Sequence, residues 1–473
     1  YCETCLDQFK AQTGFDAPKE ENWSNEWKAW VDFREDSMQR FVRDARRAVR
    51  ETNDEGIIFC NAGGWQLSTQ SARNPWKLET EQDITGAEVF VHYGVPHEDW
   101  LDTTVMAKFL SAGDNPAVVF SDHAVGGWHY VGMPAAELGR EFYQTVAGGA
   151  NPWIAVFTPA LEHQKAKTLN PVTDGWSLVE SIEGFLENDE PAAKIALVRS
   201  DATARHYLSH LESLRTGAST GKEEDLIASI SRGTVQDTIA FKRTCEDHSA
   251  EEFRGWCYIL TRQHLPFSVL RDSDLTSETL AQYDCIILPN AACLAEDALD
   301  ELRVFQEAGG AVVSTFESGW YDETGSIRTP GEGGAGIGRP KQLEAFEPAA
   351  FEEYAIIESG AGNIPEFDTH ELIPRPEHAL KISGIKETEV LARYMNPVGF
   401  HYRPPQGVSP YPMALKGGLG KGKWLYFACA PGAEWMRFRI PHWERFAGAA
   451  IRSVIGSRCQ IVTNAPPTMQ IEL

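Results

Sequence analysis

Long apolar runs are missing from this chain. No stretch of about 18 apolar residues occurs in its 473 residues, so nothing in it reads as a membrane-spanning helix. No charged segment followed by an apolar run marks a signal peptide at its start. Positive charge is scarce: 43 Lys and Arg stand against 68 Asp and Glu, a formal net charge of −25. A field of that sign repels nucleic acid and anionic lipid and leaves neutral substrates as the better match. Cysteine is sparse and odd in number, nine in all, with several inside apolar runs such as DCIILP and YFACAP. That pattern argues against a disulfide framework and favours buried thiols in a reducing, cytoplasmic compartment. Two nucleotide and nucleophile signatures are also lacking. GGLGKGK at 417–423 has neither the terminal Ser or Thr nor the strand-to-helix setting of a phosphate loop and reads as a hairpin turn. NAACLAEDAL around Cys293 has no Gly-x-Cys-x-Gly elbow, so this cysteine reads as a buried or loop thiol.

What is present is apolar periodicity. Hydrophobic residues make up 42% and aromatic residues 11%, enough for two or three domains each with its own core. WKAWVDFREDSMQRFVRDARRAV spaces Trp27, Trp30, Val31, Met38, Phe41, Val42, Ala45 and Val49 as one face of a long helix. Four short apolar runs follow, GIIFCN at 56–61, AEVFVHYG at 87–94, PAVVFSDH at 116–123 and NPWIAVFT at 151–158, separated by helical stretches. The alternation predicts a parallel sheet covered by helices. A further helix is expected over WSLVESIEGFLEN. Ligands meet such sheets at the carboxyl ends of the strands.

After ENDEPAAK at 187–194 a second series begins with KIALVRSD and continues through CIILPNAACL, EDALDELRVFQEAGG and AVVSTFES, the pattern of an open doubly wound sheet. Gly- and Pro-rich GSIRTPGEGGAGIGRPK opens an irregular insertion. YPMALKGGLGKGKWLYFACAP returns as a hairpin-like pair of strands, and HWERFAGAAIRSVIG is a helix. QIVTNAPPTMQIEL is expected to start a new strand.

YCETCLDQF before a Trp-rich helix, ITGAEVFVHYG, SDHAVGGWHY and the region from KIALVRSDATARHY to LRVFQEAGGAVV together resemble the hypothetical glycosyl hydrolase 6 family joined to a β-galactosidase trimerisation domain, within the wider group of family 42 β-galactosidases. The resemblance implies an α/β protein. Residues 1–190 would be the C-terminal half of a TIM barrel, and 193–457 a flavodoxin-like trimerisation domain, related in shape to class I glutamine amidotransferases, with an insertion at about 320–420. Residues 458–473 would start a C-terminal β domain. A TIM barrel needs eight βα units and only four strands precede KIALVRSD, so the chain is expected to begin after the fourth barrel strand, with part of the catalytic site outside it and the chain alone inactive. The implied activity is hydrolysis of a galactoside or related plant or algal glycan by a homotrimer. An α-L-fucosidase-like enzyme and a non-catalytic sugar-binding barrel are the alternatives. No catalytic cofactor, nucleic acid or membrane partner is implied.

Glycoside hydrolysis needs two carboxyl groups flanking the scissile bond. Glu88, in an apolar run near a strand's carboxyl end, is the first candidate, as acid/base; a hydrogen-bonded structural role is the bland reading. Asp122 is the candidate second carboxylate, and with His123 it is also a candidate sugar contact, against simple loop capping. Asn61, His92, His129 and Glu162 lie at or just after strand ends and are further candidate sugar contacts; a solvated loop explains Glu162 and His163 equally well. Trp65 and Trp128 sit in Gly-flanked loops where a flat indole suits a sugar ring, and nine of the fourteen tryptophans lie within 1–190. Cys2 and Cys5 have the spacing of half a tetrahedral zinc site, and the resemblance implies a structural zinc there in the intact protein.

Overall fold

The computed structural model describes residues 2–19, 23–65, 72–89, 100–125, 128–156, 158–186, 192–211, 248–346, 353–358, 370–383, 385, 388–398, 403–456, 458, 461 and 463–471. The polypeptide divides into two units, 1–191 with 219–246 and 192–218 with 247–473. The division at Pro191 falls on the composition shift. The grouping of 219–246 with the first unit departs from the sequence boundary, and that segment lies outside the described residues.

The first unit opens with α1 (Glu3–Thr13) and α2 (Asn25–Thr52). Gly14, in the left-handed conformation at φ 78°, ends α1, and the Ser24 side chain accepts the Trp27 N–H to start α2. Trp27, Trp30 and Val31 of the apolar face read from the sequence pack with Phe9 of α1, Phe9 meeting Trp30 with ring centroids 4.9 Å apart and Trp30 stacking on Phe33 at 5.6 Å, whereas Phe41 of that face is exposed.

Four parallel strands form its sheet: β1 (Phe59–Asn61), β2 (Ile84–Glu88), β3 (Ala117–Asp122) and, after the small hairpin of β4 (Ala124–Val125) and β5 (Trp128–Gly132), β6 (Asn151–Ala155). They lie side by side in chain order β1-β2-β3-β6. Asp83 fixes where β1 meets β2. One carboxylate oxygen takes Arg46 and Arg50 of α2, each at 2.9 Å, and the other accepts the Ile58 N–H at 2.8 Å. Residues α3 (Pro75–Leu78), α4 (Asp102–Leu110) and α5 (Ala135–Ala147) connect the strands, with α4 packed on β2 and β3 and α5 on β6.

Because side chains alternate along a strand, register decides what shares a face. Glu88, Phe120 and Trp153 stand in one row, and Asn61, Gly86, Val118 and Asn151 in the next row of the same face. Thr85, Ala87 and Val119 point the other way and are buried. The first face is open, with Trp153 48% exposed, and carries an aromatic cluster in which Phe120 lies 4.4 Å from Trp153 and 5.2 Å from Phe59.

One element differs from expectation. The stretch after β6 is not a loop leading to a short helix but one helix, α6 (Thr158–Leu186), which runs through Pro171. A proline deprives a helix of one hydrogen bond, and Asn-Pro in the sequence reads as a break. Packing of this helix against α5, with Phe142 set edge-on to Trp176, offsets that loss.

The second unit is built on five parallel strands. β7 (Ile195–Arg199), β8 (Phe267–Arg271), β9 (Cys285–Leu288), β10 (Ala311–Thr315) and the strand β17 (Gly422–Phe427) lie in the spatial order β8-β7-β9-β10-β17. Every residue of β7, β9 and β10 is buried, as their unbroken apolar runs require of strands covered on both faces. The helices are α7 (Asp201–His206), α8 (His248–Arg262), α9 (Ser277–Leu280), α10 (Glu296–Ala308), α11 (Pro431–Phe438) and α12 (Pro441–Ile455). Gly255 of α8 approaches Gly432 of α11 so closely that a Cβ on Gly255 would lie 2.0 Å from the Gly432 carbonyl oxygen.

The Gly- and Pro-rich stretch 325–341 carries no strand, and the described residues after it include short strands. β11 (Gln342–Ala345) pairs with β14 (Leu380–Ser383), while β12 (Tyr354–Ile357), β13 (Leu372–Pro374), β15 (Glu389–Met395) and β16 (Val408–Leu419) extend the sheet antiparallel to nine strands. β16 and β17 form the expected hairpin, turning at Gly420 with φ 59°. Past α12 the described residues form no strand, and Cys459, Gln460 and Val462, where the expected one begins, lie outside them. Pro466 and Pro467 lack the N–H a ladder needs, and the segment instead offers the Pro466 and Met469 carbonyls to His264 Nε2. Among the described residues no helix is long and apolar enough to cross a membrane.

Candidate functional site

Three of the marked polar residues come together at the carboxyl ends of the first sheet. Glu88 is the last residue of β2, and its Oε1 accepts the Asn61 Nδ2–H at 2.7 Å from the end of β1. Glu88 is exposed, not enclosed in an apolar strand, so the desolvation that the sequence suggested is absent. Asp122 ends β3 one pleat beyond Phe120, the register partner of Glu88. With strands about 4.8 Å apart and about 3.3 Å per residue, the two Cα atoms lie about 8 Å apart on the same face.

Asp122 and His123 are buried, 4% and 2% exposed. Asp122 Oδ1 accepts the Ala124 N–H at 3.0 Å and lies 3.1 Å from His123 Nδ1. His123 reaches across to β6: its backbone N–H donates to the Ala155 carbonyl at 3.1 Å, and its Nδ1 lies 3.0 Å from the same oxygen. With two acceptors on Nδ1, the proton belongs on that nitrogen. The pair ties the ends of β3 and β6 together and turns the chain into the β4–β5 hairpin.

The other marked residues are dispersed. Trp65 is 4% exposed, so its indole is packed inside and offers no open platform. Burying an indole is more favourable than presenting it, and the adjacent glycines allow the chain to turn it inward. Glu162 is exposed on α6, within helix and not on the loop expected there. Trp128 and His129 belong to β5, but their side chains, like that of His163, lie outside the described residues, as does His92 altogether.

Cys2 and Cys5 bracket the start of α1 with their sulfurs 3.4 Å apart. The Cys5 N–H and thiol hold the Cys2 thiol below its ordinary range, and the same shared bond pushes Cys5 up. The spacing suits two ligands of one ion, and no group of three or more potential ligands occurs among the described residues.

In the second unit the crevice between β7 and β9, where strand order reverses, is the usual ligand position. Here a side chain of the protein fills it: Asp272 Oδ2 takes the Ala202 N–H at 3.0 Å and lies 2.9 Å from Ser200 Oγ, using the donors an anion would need. Cys293 is fully buried, as its sequence context predicts. Two titratable groups escaped the sequence reading. Glu317, two residues past β10, is fully buried; its Oε2 accepts the Tyr207 hydroxyl at 2.5 Å and the Tyr321 hydroxyl at 3.3 Å, and burial pushes its carboxyl up. Glu252 of α8 accepts Trp256 Nε1–H and the Thr315 hydroxyl on Oε1, each at 2.8 Å, and the Ala433 N–H on Oε2 at 2.8 Å. A carboxylate next to an apolar strand, as in AVVSTFES, was the available signal for Glu317; Glu252 sits in a charged pair and gives none.

Residues 256–438 match the family model described as the beta-galactosidase trimerisation domain. No similar protein is found among curated proteins. Among solved structures, the chain is similar to the beta-galactosidase from Bacillus circulans sp. alkalophilus, with a TM-score of 0.66 and 15% identity over 95% of this chain and 67% of that one. It is similar to the beta-galactosidase from Rahnella sp. R3, with a TM-score of 0.66 and 16% identity over 96% of this chain and 66% of that one. It is also similar to alpha-L-fucosidase isoenzyme 2 from Paenibacillus thiaminolyticus, with a TM-score of 0.63 and 16% identity over 99% of this chain and 61% of that one. At these identities the likeness is one of fold. The chain spans 61 to 67% of the lengths of these three proteins.

Proposed function

We propose that the chain belongs to a glycoside hydrolase acting on a galactoside or related glycan, with Glu88 as one working carboxylate and Asp122 as the candidate second. The observation that carries the reading is the Asn61–Glu88 pair at the open carboxyl end of a parallel sheet, beside Asp122 on the same face. In this reading the first unit is half of a (β/α)8 barrel of the kind the glycosyl hydrolase 6 resemblance implies. Its support is four parallel strands lying side by side in chain order with helices between them. The order of the five parallel strands of the second unit, 2-1-3-4-5 in chain numbering, supports a flavodoxin-like domain. The trimerisation-domain match supports a homotrimer assembled through it. Completion of a zinc site at Cys2 and Cys5 would take two donors beyond those described; such a metal would hold the fold and take no part in the chemistry.

Likeness in fold to the fucosidase over 99% of the chain favours α-L-fucoside hydrolysis as the second reading. A panel of 4-nitrophenyl glycosides assayed on the intact protein separates the two: turnover of the β-D-galactoside is expected to exceed that of the α-L-fucoside, and the reverse order favours the second. Saturable sugar binding without turnover on any member would leave a non-catalytic binding barrel. Sedimentation velocity at micromolar concentration is expected to give a trimer, and a strict monomer would remove the assembly claim.

A further inference from the structure

The sequence marks Asn61 as a sugar contact, yet its amide is engaged by the protein: Nδ2 donates to Glu88 Oε1 at 2.7 Å. We propose that Asn61 is the positioning residue of Glu88, holding Oε1 so that Oε2 is the oxygen presented to the substrate. The inference rests on the reading of Glu88 as a site carboxylate.

The backbone prepares this pairing. Asn61 stands in register with Gly86, and Glu88 lies two residues further along the neighbouring strand, so the two side chains meet on the diagonal. A side chain at position 86 would stand beside that diagonal on the same face. Glycine there leaves the space to the Phe59 ring, since a Cβ on Gly86 would lie 2.8 Å from both Phe59 Cε2 and the Val118 carbonyl oxygen. The orientation of the amide follows from chemistry: an ionised carboxylate only accepts, so the NH2 must face Glu88 and Asn61 Oδ1 must face away. An exposed Glu side chain otherwise samples several rotamers. One short, charge-assisted bond to a strand-end amide restricts it, and displacement of a reacting group by about 1 Å costs a reaction on the order of 100-fold.

The test is a series at position 61 in the intact protein, read on the best aryl glycoside. A positioning role predicts that Asn61→Ala lowers kcat about 10-fold or more with KM within about twofold. Asn61→Asp, which sets a like charge beside the carboxylate, is expected to lower kcat further. Asn61→Gln, which keeps the amide donor, is expected to recover part of the loss. A sugar contact predicts the other split, with KM raised and kcat held, and that result overturns the proposal, as does a fall in stability with turnover per folded molecule unchanged. A second measurement does not need activity. In protein labelled with 15N-asparagine, the Asn61 side-chain amide signals, identified by their loss in Asn61→Ala, should move in Glu88→Gln. Signals that stay in place refute the pairing. Signals that move in a protein without glycosidase activity sink the glycosidase reading and leave the pairing standing.

Discussion

Glu88→Gln is expected to lower turnover of the best aryl glycoside by about 100-fold or more while leaving the unfolding midpoint unchanged. The substitution keeps the shape of the side chain and removes the titrating group. Because Glu88 is exposed at the end of β2, no desolvated network depends on its charge, and its partner in the structure is the Asn61 amide. A Gln in the same rotamer still offers Asn61 an oxygen at the Oε1 position, so folding loses little. Turnover loses a group able to exchange a proton or attack from that strand end. The opposite pattern, a lower midpoint with turnover per folded molecule unchanged, would make Glu88 structural. The working carboxylate would then have to be Asp122 or a group outside the described residues. Asp122 is the harder residue to test, because it also accepts the Ala124 N–H that turns the chain after β3, so Asp122→Asn disturbs folding and chemistry together.

The sequence displays strands well and pairings poorly. GIIFCN, PAVVFSDH, KIALVRSD and CIILP are recognisable because a strand covered on both faces, or ending at a ligand site, needs an apolar run with a polar end. The contact between Asn61 and Glu88 joins two strands 27 residues apart, and its register is set partly by Asp83 and two arginines of α2. No local pattern encodes that. Trp65 shows the complementary failure: glycine neighbours read equally well as an open loop or as a turn that buries the ring. α6 was hidden by Pro171, a local penalty that tertiary packing overrides. The insertion was hidden for another reason. Its strands β11 to β14 are three or four residues long, too short for alternation to stand out from glycine- and proline-rich surroundings. The buried carboxylates of the second unit were least legible, since a glutamate on a helix looks solvated until its neighbours are known.

Glu252 makes that last point measurable, as a stability that falls when pH rises. Its carboxyl is fully buried among Trp256, Thr315 and the N-terminus of α11, and burial, opposed by its hydrogen bonds to Ala433, Thr315 and Trp256, pushes its pKa up to about 7 from 4.5. A carboxyl raised in the folded state binds its proton more tightly there than in the unfolded chain. Its contribution is therefore fully present below about pH 4.5 and is lost as pH rises through about 7. The interval corresponds to about 3 kcal/mol at about 1.4 kcal/mol per pH unit. Glu434, raised to about 8 by burial, adds to the same slope and extends it upward. Glu252→Gln cannot titrate, so the variant should lose stability less steeply than the parent between pH 4.5 and 7.5, by about 3 kcal/mol across the interval. It should also start lower at pH 5, by about 1–2 kcal/mol, because one amide end must face donors that had faced an acceptor. The two stability curves should therefore converge or cross as pH rises. Urea titrations at several pH values, followed by tryptophan fluorescence, would show this directly, since Trp256 donates to the group in question. Parallel curves with equal slopes would mean that Glu252 titrates alike in the folded and unfolded chain. Its three-way position between α8, β10 and α11 would then owe its stability to hydrogen bonding alone, with no electrostatic cost to recover.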